Sequence, residues 1–125
     1  MMIDLKPTIK QALRDNAVLA SLLGRDKDGS VKVYPERSPD IALPKVTFFE
    51  LTNFDNEYAN NTALSSEIHF QVDVWSAGNT APIALAVNKA MEGLGFVRSG
   101  ASDRDETDTL TFHKILRYKT IKFGS

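Results

Sequence analysis

Residues 65–75 read SSEIHFQVDVW. Ile68, Phe70, Val72 and Val74 alternate with His69, Gln71, Asp73 and Trp75. Successive side chains of a strand point to opposite faces, so one face here is apolar and the other mostly polar. That is the pattern of an antiparallel strand with one side on a core and the other turned to water or to a partner. The run is about ten residues long, beyond the usual ~5–6 for a strand.

Upstream, KVTFFELT (45–52) is rich in Val, Thr and Phe and predicts a second strand. Between the two, NFDNEYANNTA (53–63) holds four Asn and little strand propensity, and predicts a long hairpin connection. Val31 to Tyr34 alternates as a short strand, followed by a stretch broken by Pro35, Pro39 and Pro44. The N-terminal segment is helical by pattern. Leu5, Ile9, Ala12 and Leu13 share a face, as do Val18, Leu19, Leu22 and Leu23 after a kink near Asp15, and Gly24 is the stop.

Downstream, Asn79 or Thr80 caps a second helix with Pro82 in its first turn. Ile83, Val87, Ala90, Met91 and Leu94 form its stripe. Phe96 to Arg98 starts a strand, ASDRDETD (101–108) predicts a charged hairpin turn, and residues 109–123 predict a final strand. In that strand Leu110, Phe112, Leu116 and Tyr118 share one phase while Ile121 and Phe123 take the other, which predicts a bulge or a change of packing partner near Lys119. The expected fold is α+β, in the order α-β-β-β-α-β-β. A mainly antiparallel twisted sheet carries two helices on one face, in a single domain over residues 1–125.

Composition narrows the function. The 125 residues are 42% hydrophobic and 25% charged, ordinary for a globular domain. Fifteen Lys+Arg against sixteen Asp+Glu give a net charge of -1, without the basic excess of a general nucleic-acid binder. The chain has no Cys, which excludes disulfides, thiolate metal sites and thiol catalysis. The N-terminus lacks the pattern of a secretory signal, and no apolar run approaches the ~20 residues of a membrane span. A cytoplasmic place of assembly, with no membrane, is expected.

Motifs that carry chemistry are few. His69 and His113 fall on strands, and with Asp73 or Glu67 would make a metal triad if the strands met, but neither sits in a local metal motif. Solvent-facing sheet residues is the plainer reading. Asp26, Asp28 and Gly29 lack the spacing of a calcium loop. Gly93-Leu94-Gly95 ends a helix, whereas a dinucleotide loop opens one. Neither a nucleophile elbow nor a Ser beside a His is present. Asp103, Asp105, Glu106 and Asp108 share one turn with Arg104, without the burial that tunes a general acid. Phe48, Phe49, Phe54, Tyr58 and Trp75 lack the basic groove of a single-strand platform, since Asp55 and Glu57 lie among them. The expectation is no enzyme, no cofactor and no bound metal.

Two features point instead to assembly. KVTFFEL puts Val46 and Phe48 on one face and Phe49 and Leu51 on the other, and Trp75 lies opposite the apolar phase of its own strand. Helices cover only one face of such a sheet, so the remaining apolar groups favour a partner. Phe49, Leu51, Phe54, Tyr58 and Trp75 are therefore the candidate subunit interface.

The order of short motifs also resembles a known family. A helix ends in Leu22-Leu23-Gly24, then come Val33-Tyr34-Pro35, Leu43-Pro44-Lys45-Val46-Thr47-Phe48, and a strand closing in Val72-Asp73-Val74-Trp75-Ser76 before a helix from Pro82. Over roughly residues 5–123 this resembles the tail-completion or tail-terminator proteins of long-tailed bacteriophages and prophages. The resemblance implies a structural virion protein of the neck and tail, without catalytic residues or cofactor. It implies a homo-oligomeric ring, a hexamer, that caps the tail tube protein and joins the head connector or stopper protein while DNA passes through. On that basis the acidic turn Asp103, Asp105, Glu106 and Asp108 is a candidate lumen lining, where negative charge repels phosphate. The alternatives are another phage neck or connector component, or a small α+β ligand-binding module.

Overall fold

The middle of the sheet is the strand that contains residues 65–75. The computed structural model describes residues 2–59, 61–106 and 111–123. Among them lie helices α1 (Lys6–Asp15), α2 (Ala17–Leu23) and α3 (Ala81–Gly93) and strands β1 (Val33–Pro35), β2 (Lys45–Ala59), β3 (Thr62–Ser76), β4 (Val97–Glu106) and β5 (Thr111–Phe123). The strands form one sheet in the order β1-β2-β3-β5-β4. The class is α+β as expected.

The alternation in β3 decides the layers. Ile68, Phe70, Val72 and Val74 are fully buried, together with Val46 and Phe48 of β2 and Leu116 and Tyr118 of β5. They pack on Ile9 and Leu13 of α1, Leu19 and Leu23 of α2, and Ile83, Val87 and Met91 of α3. All three helices thus cover the same face of the sheet. Phe70 is at the centre, 6.3 Å from Phe48 and 6.0 Å edge-on to Phe96 between ring centroids. Tyr118 reaches through this layer to donate its hydroxyl to Asn88 Oδ1 at 2.9 Å, and burial pushes its phenol well above the ordinary range.

The structure corrects several details. The sheet is mixed, because β1 runs parallel to β2 while the other neighbours are antiparallel. Proline is the reason. Pro35 closes β1, and residues 36–44, with Pro39 and Pro44, form neither helix nor strand and carry the chain back to the start of β1. The first helix is two helices, so the order is α-α-β-β-β-α-β-β. Asn16 takes an extended conformation that ends α1, and its Oδ1 accepts from Leu19 N at 3.0 Å to cap α2. Only Leu19 and Leu23 of α2 are buried, and Val18 faces out.

The segment 53–63 is no open connection. β2 continues to Ala59 and β3 begins at Thr62, so the pair forms a hairpin of two 15-residue strands. Asn61 takes a left-handed φ of 62° at its tip, a conformation Asn tolerates. The charged turn expected over 101–108 is strand up to Glu106, paired with β5, and Asp108 lies outside the described residues. The final strand has no bulge against β3, with which it pairs residue for residue from Ser65–Phe123 to Ser76–Phe112. Ile121 and Phe123 therefore lie on the sheet's open face.

The Asn16 cap is testable on its own. Asn16→Ala should lower stability by about 1 kcal/mol in urea unfolding, while Asn16→Asp, which keeps the acceptor, should retain most of it.

Candidate assembly surface

With three helices on one face, no helix among the described residues covers the other face of the sheet, and its two ends differ. At the β1 end of β3 the face closes over itself. Trp75 lies flat on its cross-strand neighbour His113, with centroids 3.7 Å apart and planes at 15°. Its indole Nε1 donates to Thr47 Oγ1 at 3.1 Å. Beneath, Asp73 Oδ1 accepts from His113 Nε2 at 2.9 Å and from Gln71 Nε2 at 3.0 Å. Gln71 Oε1 accepts in turn from Arg117 Nε at 3.1 Å. Thr47, Gln71, Asp73 and His113 are all buried, although no helix touches this face. A network whose members satisfy one another is what makes such burial tolerable.

At the hairpin end the face is apolar and open. β2 carries a bulge, for Glu50 pairs with Phe70 and Thr52 with His69, leaving Leu51 without a partner in the ladder. The extra residue shifts the phase of the strand. Phe49 before it and Phe54 and Tyr58 after it therefore share the open face. Phe54 stacks on His69 at 6.4 Å between centroids. Glu67, whose row joins Phe54 and Ile121, holds His69 at 2.8 Å. Phe54, Tyr58, Ile121, Phe123 and Val97 are exposed on this end. They come from β2, β5 and β4, on either side of β3.

The expected interface residues thus separate. Phe54 and Tyr58 are exposed on the open face and Leu51 is exposed at the bulge, whereas Phe49 and Trp75 are partly buried. Ile121, Phe123 and Val97 complete the patch and were not singled out from the sequence. A signal was present for the first two, whose phase in the last strand differs from that of Leu116 and Tyr118. Of the acidic candidates, Asp103 is exposed on β4 and its Oδ1 accepts from Lys114 Nζ at 3.1 Å. Asp105 and Glu106 belong to the end of the same strand.

The chemistry sites considered from sequence do not assemble. His69 pairs with Lys119 and His113 with Trp75, six residue steps apart along β3, or roughly 20 Å. Each histidine takes one of the two carboxylates. Among the described residues no group of three potential ligands is close enough to hold a metal ion. In the 24–30 turn, Asp26 accepts from Asp28 N, Ser30 N and the Tyr34 hydroxyl at 2.9–3.0 Å, so its oxygens organise the turn. These bonds, Ser30 first, hold its carboxyl below the usual range, and burial, then Asp26, pushes the Tyr34 phenol up to about 12. A cleft of about 450 Å³ lies where α3 begins, between Thr80, Arg104, Phe112 and the edge of His113. No helix among the described residues is long and apolar enough to cross a membrane.

The family of Tail completion protein gp17 matches over residues 7–122. The chain belongs to that family. It is therefore a structural tail protein of a phage-type particle. A search of curated proteins gave no match. Among solved structures, a chain of the virion of a native gene transfer agent particle is similar in fold, with a TM-score of 0.63 at 18% identity, covering 93% of this chain and 92% of that one. A second structure, from Akkermansia muciniphila and titled as lacking its transmembrane region, has a TM-score of 0.36 at 10% identity over 62% of this chain and 45% of its own, too distant to bear on the fold. A tail protein works through its contacts, so the open apolar end of the sheet is the surface of interest in this family member.

Structural and available residues should respond differently to truncation. Trp75→Ala removes a stacked, hydrogen-bonded ring and should cost about 2 kcal/mol, below the ~3–5 of a fully buried aromatic. Tyr58→Ala and Phe54→Ala should stay within about 0.5 kcal/mol of the parent, as exposed positions do. Urea unfolding of the three variants checks both.

Proposed function

We propose that the protein forms a ring at the head-proximal end of the tail tube, stops the tube there, and provides the surface on which the head connector docks. Six copies is the number the family resemblance implies. The observation that carries the reading is the exposed row of Phe54, Tyr58, Ile121 and Phe123 on a face that the helices leave bare. Such a patch, in a chain of a tail-completion family, is what a part that acts by contact presents. The likeness in fold to a gene transfer agent virion chain supports the same reading. In this arrangement the acidic residues Asp103, Asp105, Glu106 and Asp108 border the passage and keep DNA from adhering to it.

The test is complementation of particles that lack this protein. The double variant Phe54→Lys, Ile121→Lys should fold with near-parental stability, because both positions are exposed, yet leave heads and tails unjoined and tail length uncontrolled in electron micrographs. Tails of normal length that merely lack heads would favour a different neck component. Full recovery of joined particles would remove the open face from the joint.

A further inference from the structure

The ring reading leaves open which surface of the neighbouring copy receives the hairpin. The helix layer offers a second exposed apolar feature, on the side of the molecule opposite the open sheet face. Val18 of α2 is 57% exposed and Leu85 of α3 is 72% exposed. With Pro82, Ala86, Asn16 and Lys89 they line a cleft of about 230 Å³ between the two helices. A cavity of ~150 Å³ holds benzene, so this one has room for a phenol ring.

The hairpin has the matching shape. β1 pairs with β2 only as far as Phe48, and β5 pairs with β3 only from Ser65 onward. The tip beyond them is two strands wide and stands clear of the rest of the sheet. Tyr58 projects from it, 62% exposed. The charges are complementary too. Between Asn53 and Leu64 the hairpin carries Asp55 and Glu57 and neither Lys nor Arg. The cleft carries Lys89 and borders the first turn of the 13-residue α3, the positive end of that helix.

We propose that Tyr58 of one copy seats in the α2–α3 cleft of the next. The proposal rests on the ring reading above and names the contact that would build the ring. It joins two different patches on opposite sides of each subunit, the heterologous arrangement that a closed ring requires. An occupant from another tail protein, or a tip-to-tip contact between two hairpins, is an outcome the test separates.

The absence of Cys makes cross-linking clean. Chains with Ala59→Cys and chains with Ala81→Cys, exposed positions beside Tyr58 and beside the cleft that leave Tyr58 and Leu85 in place, are mixed and treated with a short bismaleimide, both as purified protein and in tails completed with the mixture. A dimer band in the mixture, weak or missing with either variant alone, is the expected result. A dimer from Ala59→Cys alone means a tip-to-tip contact and overturns the proposal. Joined, normal particles without the cross-link overturn it while leaving the ring reading in place. Completed tails that lack this protein at their end overturn the ring reading itself. A second pair of variants confirms the polarity. Tyr58→Glu and Leu85→Glu should each weaken self-association by roughly 30-fold, as expected for loss of a ~2 kcal/mol hot spot. Mixed, they should restore dimers that grow no further, since only one intact contact can form. Mixtures that stay monomeric overturn the proposal.

Discussion

Most of this structure depends on the registry of a single strand. Ile68, Phe70, Val72 and Val74 are fully buried beneath three helices, each side chain contributing about 1.5–3 kcal/mol by leaving water. A slip of one residue would exchange them for His69, Gln71, Asp73 and Trp75 and lose nearly all of that. With the phase of β3 held in this way, β2 and β5 take their faces from it through the ladder. The helix-facing residues Val46, Phe48, Leu116 and Tyr118 then have no alternative, and neither do the residues that point the other way.

What points the other way is managed in two manners. Near β1 the open face is sealed by its own side chains, with the Trp75–His113 stack as a lid and Asp73, Gln71 and Arg117 bonded in series. Breaking one member would leave a buried polar partner unsatisfied, so this part is committed to the fold. Toward the hairpin the polar chain is shorter, with Glu67 accepting from Asn56 Nδ2 at 3.4 Å. Glu67 and His69 pair with each other, and the aromatic and aliphatic rows around them stay open. A stability argument explains the first region and leaves the second without a purpose inside the monomer.

The sequence made the central strand, the two helical faces of the N-terminal segment and the α3 stripe legible, because each rests on local periodicity. The cap of α2 was legible in part, since Asn16 stood where a kink was expected. The hairpin was legible as a connection between two strands, but not as strand itself. Its Asn-rich strand gains its order from cross-strand pairing with β3, which a propensity count does not see. The bulge at Leu51 also breaks the alternation, so Phe49, Phe54 and Tyr58 do not look coplanar in the sequence although they are in the sheet. Trp75 was placed on the correct face, but its partner was not legible, because His113 is a neighbour through the β3–β5 register alone. The same holds for the exposed apolar patch: Val97, Ile121 and Phe123 join Phe54 only in three dimensions.

The bulge links the fold to the surface. Had β2 run without it, Phe54 and Tyr58 would turn toward the helix side of the sheet, where Asn53 now donates to the Ile3 carbonyl at 2.7 Å and to Glu50 at 3.1 Å. Asn53 and Asp55 would occupy the open face in their place. The core would lose little, for it ends at Phe48 on β2 and at Ile68 on β3. One additional residue therefore costs the buried layer almost nothing and converts a polar strand end into an aromatic one. In a chain without cysteine, with balanced charge and with both histidines tied to carboxylates, that aromatic end is the feature that folding alone does not account for. The assembly contact proposed above would account for it.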